Sequence, residues 1–353
     1  MRRIPDIRFI VVLLTVWLLV GCSGHEDVPE DPVNEPGSPL KLVSGTRTAG
    51  DEGDVTSSVH VYIVSKTDQT ITEGDFVKGA TEWTSTANVN AGIDYWIYGF
   101  APKDAGTSAS YVKLEGASTY DNGIRLSVNG IAPISGQDVS LVAGVRQVDT
   151  EAEATADIAI TDGSYDYSGR TFGNNFVCLL MKRVFSCIAI RAKVTEEYSQ
   201  MRTIKIKGMR LKAYYGSVNM AANIRNSRAM ASGDISFSSP AAAATPITIE
   251  LFSATAGDDF KTLTTDDMAE DICQGYLAAS LPDVILETTY NIYDTEGNLV
   301  REDCKAENKL SLSALGVGQR QIITLTVDPT YLYQLSEPDA DNPNVKISTT
   351  VTP

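Results

Sequence analysis

The sequence predicts an all-β protein of two antiparallel β-sandwich domains, with a short helix in the second. Two observations predict this fold. Short segments rich in β-branched and aromatic residues recur along the chain, and clusters of Gly, Asn and Asp bound them. Helical periodicity is sparse between these segments, which favours antiparallel sandwiches over a parallel sheet with crossover helices.

The predicted strands follow an N-terminal stretch of different composition. In the first half they cover residues 59–64, 94–100 and 123–128, and in the second half residues 186–195, 202–207, 245–252, 288–294 and 321–328. Turn clusters such as Asp121-Asn122-Gly123 separate them, because these residue types tolerate the backbone conformations of tight turns.

One segment, residues 265–277, carries a helical pattern instead. Thr265 is a suitable N-cap, and the acidic residues after it suit the positive end of the helix dipole. Met268, Ile272 and Tyr276 recur at i, i+4 and i+8. We expect a short helix here that packs its apolar stripe on the second sandwich.

A domain boundary is predicted in the turn-rich stretch between Thr161 and Asn175. This stretch is rich in Gly, Ser and Asn, and a strongly apolar run follows it and starts a new core. The first sandwich is therefore expected at residues 48–172 and the second at residues 173–353, both within the usual size of a domain.

The N-terminus has the features of an export signal. A basic start precedes an apolar run over residues 9–20, which is shorter than the roughly 20 residues that a membrane-spanning helix needs. The run ends in Leu19-Val20-Gly21-Cys22, which resembles the bacterial lipobox. We expect residues 1–21 to be a lipoprotein signal peptide and Cys22 to carry the lipid that anchors the chain to the outer membrane.

Residues 22–47 are expected to form an acidic tether followed by a removable strand. The first part is rich in Pro, Asp and Glu and cannot bury enough apolar area to order itself. Such acidic tethers resemble the surface-export signal of Bacteroidota lipoproteins, which indicates an outward-facing position. In the second part Leu40 and Leu42 share one face. Arg47 follows them in a flexible, polar stretch, where a trypsin-like protease can reach its peptide bond.

Composition excludes several classes of function. The chain has 29 Lys plus Arg against 45 Asp plus Glu, a net charge of −16, and no basic patch, so nucleic acid is not expected as a partner. It has two histidines and no nucleophile, metalloprotease or phosphate-loop motif, so no catalytic residue, cofactor or metal is predicted. Four cysteines besides Cys22 are expected to be buried thiols or to form an incidental disulfide: Cys178, Cys187, Cys273 and Cys304.

Together these features resemble the fimbrillins, the pilin subunits of Bacteroidales fimbriae. The residues that carry the resemblance are the lipobox, the acidic tether, the segment ending at Arg47, Tyr95-Trp96-Ile97-Tyr98-Gly99-Phe100-Ala101-Pro102 and Met181-Lys182-Arg183-Val184-Phe185-Ser186-Cys187-Ile188-Ala189-Ile190. The likeness covers nearly the whole chain and rests on pattern more than on any invariant motif. It implies two transthyretin-like β-sandwich domains.

The resemblance also implies assembly by strand donation. In this family a protease cuts the lipidated precursor after an Arg or Lys, the first strand leaves, and a strand of a neighbouring subunit fills the groove. Here the matching cleavage site lies between Arg47 and Thr48. The alternative is that Arg47 is an ordinary linker arginine.

Residues 345–353 are a candidate donor strand. Val345, Ile347, Thr349 and Val351 share one face at period two, as a strand in an apolar groove requires. A strand that completes its own second domain requires the same pattern, so both interpretations stay open.

Two functions are compatible with the sequence. The first is a fimbrial subunit or adhesin on the bacterial surface, with other fimbrial subunits as partners. The second is a monomeric surface lipoprotein that binds a host protein or glycan through exposed aromatic residues, for which the candidates are Trp83, Trp96, Tyr111 and Tyr120. Either function could involve a host receptor, which the sequence does not identify. Cleavage after Arg47 distinguishes the two functions.

Overall fold

A computed structural model describes the chain from residue 37 onward, with gaps. The described residues are 37–43, 47–48, 51–54, 57–150, 160–256, 259–266, 271–279, 281, 283–312, 315–330 and 339–352. The predicted signal peptide, Cys22 and the acidic part of the tether lie outside them. Within these ranges no helix has both the length and the apolar character needed to cross a membrane.

The described residues form mostly β-strands, which confirms the all-β prediction. The first-half strands are β1 (Ser38–Pro39), β2 (Lys41–Leu42), β3 (Arg47–Thr48), β4 (Asp51–Asp54), β5 (Ser58–Ser65), β6 (Ile71–Lys78), β7 (Trp83–Ser85), β8 (Asn88–Val89), β9 (Asp94–Ala101), β10 (Ser108–Lys113), β11 (Gly123–Ile131), β12 (Ile134–Ser135), β13 (Ser140–Val148) and β14 (Asp166–Ser168).

The second half continues in the same way and contains, within its described residues, one short α-helix and one 3-10 helix, Ser232–Asp234. Its elements are β15 (Phe176–Arg183), β16 (Ser186–Val194), α1 (Glu196–Ser199), β17 (Thr203–Tyr215), β18 (Val218–Arg225), β19 (Ile235–Phe237), β20 (Ala242–Ser253), β21 (Lys261–Thr262), β22 (Cys273–Leu277), β23 (Asp283–Tyr293), β24 (Leu299–Ser311), β25 (Arg320–Thr330) and β26 (Asp339–Thr352). Each predicted strand segment overlaps one of these strands.

The first sandwich packs a large sheet against a smaller one. The large sheet has the order β4-β3-β15-β13-β9-β5-β6-β7, with β2 beside β15 and β14 beside β9, and the smaller sheet has the order β10-β11-β18-β19. Strand β5 pairs with β6 and β9, so it is central in its sheet. Its Val, Ile and Tyr side chains are buried, which explains why this segment is apolar almost without interruption.

The second sandwich packs two further sheets around a core of its own. One has the order β12-β22-β16-β25-β26, and the other has the order β20-β17-β23-β24 with β21 beside β17. Strands β16 and β25 are parallel neighbours, whereas most other pairs are antiparallel. Ile188, Ile190, Leu211 and Leu286 are fully buried between the sheets.

The two cores divide the chain differently from the predicted domain ranges. Strands β15 and β18 follow residue 172 in sequence, yet Val177 and Met220 belong to the first core. The second core in turn contains Ile134, which precedes residue 172. Whether residues 48–172 and 173–353 fold as separate domains stays a prediction.

The prediction of a helix at residues 265–277 is wrong for the last five residues of that segment. Cys273–Leu277 is strand β22, which pairs with β12 and β16, and residues 267–270 lie outside the described part. The second sandwich does carry a short helix, but it is α1, where Thr195 caps the first turn by accepting a hydrogen bond from the Tyr198 N–H.

Gly99 is a position where close backbone packing requires glycine. A Cβ added at Gly99 on β9 would lie 2.3 Å from the His60 main-chain oxygen on β5. We predict that Gly99→Ala lowers the free energy of unfolding by about 1 to 3 kcal/mol, because the two strands must separate to admit the methyl group.

Urea unfolding measures this effect, and Gly233→Ala is the matched control. A Cβ added at Gly233 meets no atom within 4 Å. The control should change stability by less than about 0.5 kcal/mol. Equal stability of the two variants would contradict the assigned β5–β9 packing.

Candidate functional site

The candidate site is the groove of the first sandwich that holds residues 37–43, which we call the N-terminal segment. Its β1 pairs antiparallel with β8, and its β2 pairs in parallel with β15 and also packs against β7. Strands β7 and β15 lie far apart in the order of the large sheet. The N-terminal segment therefore bridges two distant parts of that sheet.

Main-chain hydrogen bonds hold the N-terminal segment on both sides. The Leu40 N–H donates to the Ala87 oxygen at 2.8 Å, next to β8. The Lys41 and Val43 N–H groups donate to the Asn175 and Val177 oxygens at 2.7 and 3.0 Å, next to and on β15. Such bonds fix the direction and register of the segment without reading its side chains.

The apolar side chains of the N-terminal segment are part of the protein interior. Leu40 is 0% exposed and Leu42 is 6% exposed, and both belong to the first core. Val43 packs with Val148 and Cys178 in a small neighbouring cluster. The sequence prediction that Leu40 and Leu42 point the same way agrees with their shared burial.

A buried asparagine fixes one end of the N-terminal segment. The Asn175 side chain is fully buried, and its Nδ2 donates to Ser38 Oγ at 3.0 Å and to the Arg170 oxygen at 2.8 Å. Its Oδ1 accepts from the Tyr167 hydroxyl at 3.1 Å. No local pattern indicates this role, because in the sequence Asn175 only ends a turn-rich stretch.

Lys41 lies on the opposite side from the buried leucines. It is exposed, and its Nζ lies 5.4 Å from the centre of the Phe176 ring. At this distance an ammonium group is attracted to the face of an aromatic ring. The segment therefore alternates between buried apolar side chains and a cation over a ring.

Arg47 and Thr48, the predicted cleavage site, lie in a short strand. Strand β3 pairs in parallel with β15, with Arg47 opposite Leu180 and Thr48 opposite Met181, and then pairs antiparallel with β4. The polar sequence predicted a flexible stretch here, whereas the structure has a short paired strand. The reason is that the main chain of β15 pairs with β3. Cleavage after Arg47 stays a prediction.

The candidate donor strand forms the edge of the second sandwich. Strand β26 pairs antiparallel with β25 and begins at Asp339, ahead of the predicted start at residue 345. Val345 and Ile347 are half-buried against the second core. The side chains of Thr349 and Val351 lie outside the described part. The strand thus completes its own sheet here, and its donation stays a prediction.

His60 belongs to a cluster of titratable residues beside a cleft of about 230 Å³. Its Nδ1 lies 2.8 Å from Asp75 Oδ1 and its Nε2 lies 3.7 Å from Glu73 Oε2. Lys103 Nζ lies 3.2 Å from Asp75 Oδ2. Burial acts to raise the pKa of Asp75, but the hydrogen bonds from His60 and Lys103 outweigh it and hold the pKa below its usual range.

The aromatic residues proposed for ligand binding pack against the first core. Trp96 is 9% exposed, and Trp83, Tyr111 and Tyr120 are partly buried on the same core. Tyr111 contacts the ring of the buried Tyr62 with ring centres 4.8 Å apart. These rings therefore contribute to packing rather than to an exposed binding platform.

The cysteines and acidic residues add no further site in the described part of the chain. The four cysteines beyond Cys22 are thiols rather than disulfides. Burial raises the pKa of Cys273 to about 12, so this thiol is a poor nucleophile at neutral pH. No group of three or more His, Cys, Asp or Glu in the described ranges is placed to hold a metal ion.

Comparison with known proteins gives structural neighbours at low sequence identity. No family model matches the chain, and no curated protein matches it. A fimbrial protein of Bacteroides vulgatus is 11% identical, with 89% of this chain and 98% of that chain covered and a TM-score of 0.41. A candidate cell adhesion protein of Bacteroides uniformis is also 11% identical, with 90% and 98% covered and a TM-score of 0.38.

A third neighbour is a candidate polysaccharide-binding protein of Bacteroides thetaiotaomicron. It is 8% identical, with 82% of this chain and 92% of that chain covered and a TM-score of 0.31. The structural neighbours are thus fimbrial, adhesion and polysaccharide-binding proteins of Bacteroides, and the all-β architecture is that of the described chain itself.

We predict that Leu40→Ala in the uncut protein lowers the free energy of unfolding by about 2 to 5 kcal/mol, because it leaves a cavity in the first core. Denaturant unfolding measures the change. Lys41→Ala is the control on the exposed side and should cost less than about 1 kcal/mol. A Leu40→Ala protein as stable as the control would mean that the N-terminal segment does not fill this core.

We predict that Asp75→Asn lowers stability at pH 7 by about 1 kcal/mol, because it removes the carboxylate charge and replaces one of the two acceptor oxygens by an NH2 donor. A carboxyl group whose pKa is lowered on folding stabilises the protein above its ordinary pKa of about 3.9 and loses that effect as the pH falls through the folded-state value. The difference between wild type and variant should therefore shrink below about pH 4.

Urea unfolding at pH 7 and at acidic pH tests this expectation. Glu73→Gln is the control, because Glu73 is 53% exposed and lies 3.7 Å from His60. It should have a smaller effect at every pH. A pH-independent Asp75→Asn effect would show that charge at Asp75 does not stabilise the cluster.

Proposed function

We propose that the chain is a fimbrial subunit or adhesin on the bacterial surface. It is exported as a lipoprotein through Cys22, is cut after Arg47, and joins other fimbrial subunits by β-strand addition. One observation carries this proposal. The N-terminal segment, which fills the first core, precedes Arg47 in sequence, so a cut at Arg47 separates a core strand from the rest of its domain.

The free energy of burying the N-terminal segment in the first core explains why a subunit cut after Arg47 would need a strand from a partner. Leu40, Leu42 and Val43 are almost completely buried. Exposing three such side chains costs roughly 5 to 9 kcal/mol, at about 1.5 to 3 kcal/mol each. That cost is comparable with the whole stability of an ordinary domain, about 5 to 15 kcal/mol. A subunit without its N-terminal segment would therefore be stabilised strongly by a replacement strand.

The position of β26 supports its role as the replacement. It is an edge strand that pairs only with β25 among the described strands, and Val345 and Ile347 are only half-buried. Removing it leaves the β16–β25 pairing in place. An edge strand with unpaired main-chain groups is suited to pairing with another chain.

The alternative function, a monomeric surface lipoprotein that binds host protein or glycan, has less support. Its aromatic candidates pack on the first core. The described rings include two exposed aromatic residues, Phe172, which is 78% exposed in the loop before β15, and Tyr214, which is 43% exposed on β17. Two exposed rings on different elements do not by themselves form a binding surface.

We predict that Arg47→Ala abolishes processing and polymerisation. The variant should stay on the cell surface with acylated Cys22 as its first residue, whereas the wild-type protein should begin at Thr48. N-terminal sequencing distinguishes the two. Gels run in SDS without boiling should show ladders for the wild type and monomer for the variant, because strand-exchanged polymers resist detergent.

Arg47→Lys is the matched control, since it keeps the positive charge that a trypsin-like protease reads. It should restore at least part of the processing if the protease accepts Lys. Ladder formation by Arg47→Ala, or a wild-type surface protein that still begins at Cys22, would count against the proposed function.

A further inference from the structure

The cleft beside His60, which we call the His60 cleft, is distinct from the groove that holds the N-terminal segment. It is lined by residues of β5, β6 and β9 from the large sheet, of β10 and β11 from the smaller sheet, and of the loop between β9 and β10. None of residues 37–43 is among the described residues that line it. Its volume of about 230 Å³ is below the roughly 300 to 1,000 Å³ of pockets that enclose a whole small molecule, so it suits one end group of a ligand.

Tyr62 on β5 brings a buried polar group to the His60 cleft. Its side chain is 1% exposed, yet it lines the cleft. Its ring contacts those of His60 and Tyr111, with ring centres 4.8 Å apart in each pair. Within the described part of the chain, the Tyr62 hydroxyl has no hydrogen-bond partner. A buried hydroxyl without a partner is unfavourable, so this group indicates a site that a ligand completes.

Glu73 places a negative charge beside this hydroxyl. Glu73 on β6 is the register partner of Tyr62 on β5, and paired residues of antiparallel strands share one face of the sheet. Burial, and after it the charge of Glu73, raise the pKa of Tyr62. The Glu73 carboxylate is 53% exposed, and its Oε2 lies 3.7 Å from His60 Nε2. The Glu73 carboxylate and the Tyr62 hydroxyl therefore offer two neighbouring oxygen acceptors.

The remaining charges at the His60 cleft offset one another. Lys103 Nζ lies 3.2 Å from Asp75 Oδ2, so these two charges form a pair. With His60 neutral, Glu73 and Asp75 carry two negative charges and Lys103 carries one positive charge, which leaves one negative charge in excess. That excess lies on Glu73, and it favours a cationic ligand over a neutral or an anionic one.

Aromatic rings supply a second means of recognition. His60 and Phe100 both line the cleft, with ring centres 5.4 Å apart. The face of an aromatic ring attracts an ammonium group, and rings also pack against methylene groups. A carboxylate and a phenol oxygen beside such rings match an alkylammonium ion, because its nitrogen donates hydrogen bonds and its carbon chain is apolar.

We propose that the His60 cleft binds a primary alkylammonium group, the end of a lysine side chain or of a free amine, with Glu73 as the counter-ion and the Tyr62 hydroxyl as a further acceptor. This inference goes beyond the proposed function, and it does not depend on strand addition.

Ligand-observed NMR titration of the full-length protein in a non-ionic detergent tests the proposal. The probe is n-butylammonium, and n-butanol is the matched ligand without the charge. Butylammonium should bind about fivefold more tightly than butanol, and added salt should weaken its binding because salt screens exposed charges. Acetyl-lysine methylamide with a free side-chain amine represents a lysine of a partner protein, and putrescine represents a free amine. The tighter binder of these two identifies the source.

Three substitutions should change butylammonium binding in different ways. Glu73→Gln, which is expected to change stability little, should weaken binding about fivefold because it removes the counter-ion. Tyr62→Phe should weaken binding about threefold, yet leave the unliganded protein as stable as the wild type, because the hydroxyl has no partner there. Lys103→Met keeps the aliphatic stem and should strengthen binding about twofold, because it removes a competing cation.

Glu82→Gln is the matched control, since Glu82 is an exposed carboxylate that is not among the lining residues. It makes the same change in net charge as Glu73→Gln and should leave binding unchanged. Losses in Glu73→Gln and Tyr62→Phe, a gain in Lys103→Met and an unchanged control would establish the site.

Several outcomes would overturn the proposal. They are undetectable butylammonium binding, butanol binding of equal strength, an unchanged affinity in Glu73→Gln, or weaker binding in Lys103→Met. Binding of a methyl glycoside in place of butylammonium would identify a sugar site instead. Ladder formation by the surface protein is a separate readout, so either idea can fail while the other stands.

Discussion

The first sandwich depends on a strand that is placed before Arg47 in sequence. The N-terminal segment bridges β8 and β15, and its leucines complete the first core. The segment thus links two sheets, because β8 pairs with β1 in a two-stranded sheet whereas β15 belongs to the large sheet. Everything proposed about assembly follows from this single constraint, that the core is complete only while some strand occupies this position.

The second sandwich treats its edges differently. Strand β24 lies at one edge and carries many charged residues, among them Glu307 and Lys309. Lys212 Nζ lies 2.6 Å from Glu287 Oε2 and 3.0 Å from Glu307 Oε1, and the hydrogen bond from Lys212 lowers the pKa of Glu287. Charges along an edge strand oppose pairing with another chain. This edge is therefore protected, whereas β26 at the edge of the facing sheet carries fewer charged residues.

The sequence predicted the strands well because their patterns are local, and it failed where partners are distant. Ile272 and Tyr276 are four residues apart, which is about one helical turn but also two repeats of a strand. Pairing of this segment with β16 makes it a strand rather than a helix. In that strand Gly275 packs closely against Leu211 of the facing sheet, where an added Cβ would lie 2.8 Å from Leu211 Cδ1. The position of residues 37–43 depends on strands far along the chain, so no local pattern could give it.

The same energetics limit how a replacement strand can enter. After a cut at Arg47 the N-terminal segment would be held by its main-chain bonds and by the burial of Leu40, Leu42 and Val43. Complete departure at a cost of roughly 5 to 9 kcal/mol would leave an empty groove in only on the order of 10⁻⁴ to 10⁻⁷ of molecules. If the incoming strand displaces the N-terminal segment one residue pair at a time, the groove is never empty. An incoming strand that matches the register of the segment can take over each hydrogen bond as the segment gives it up.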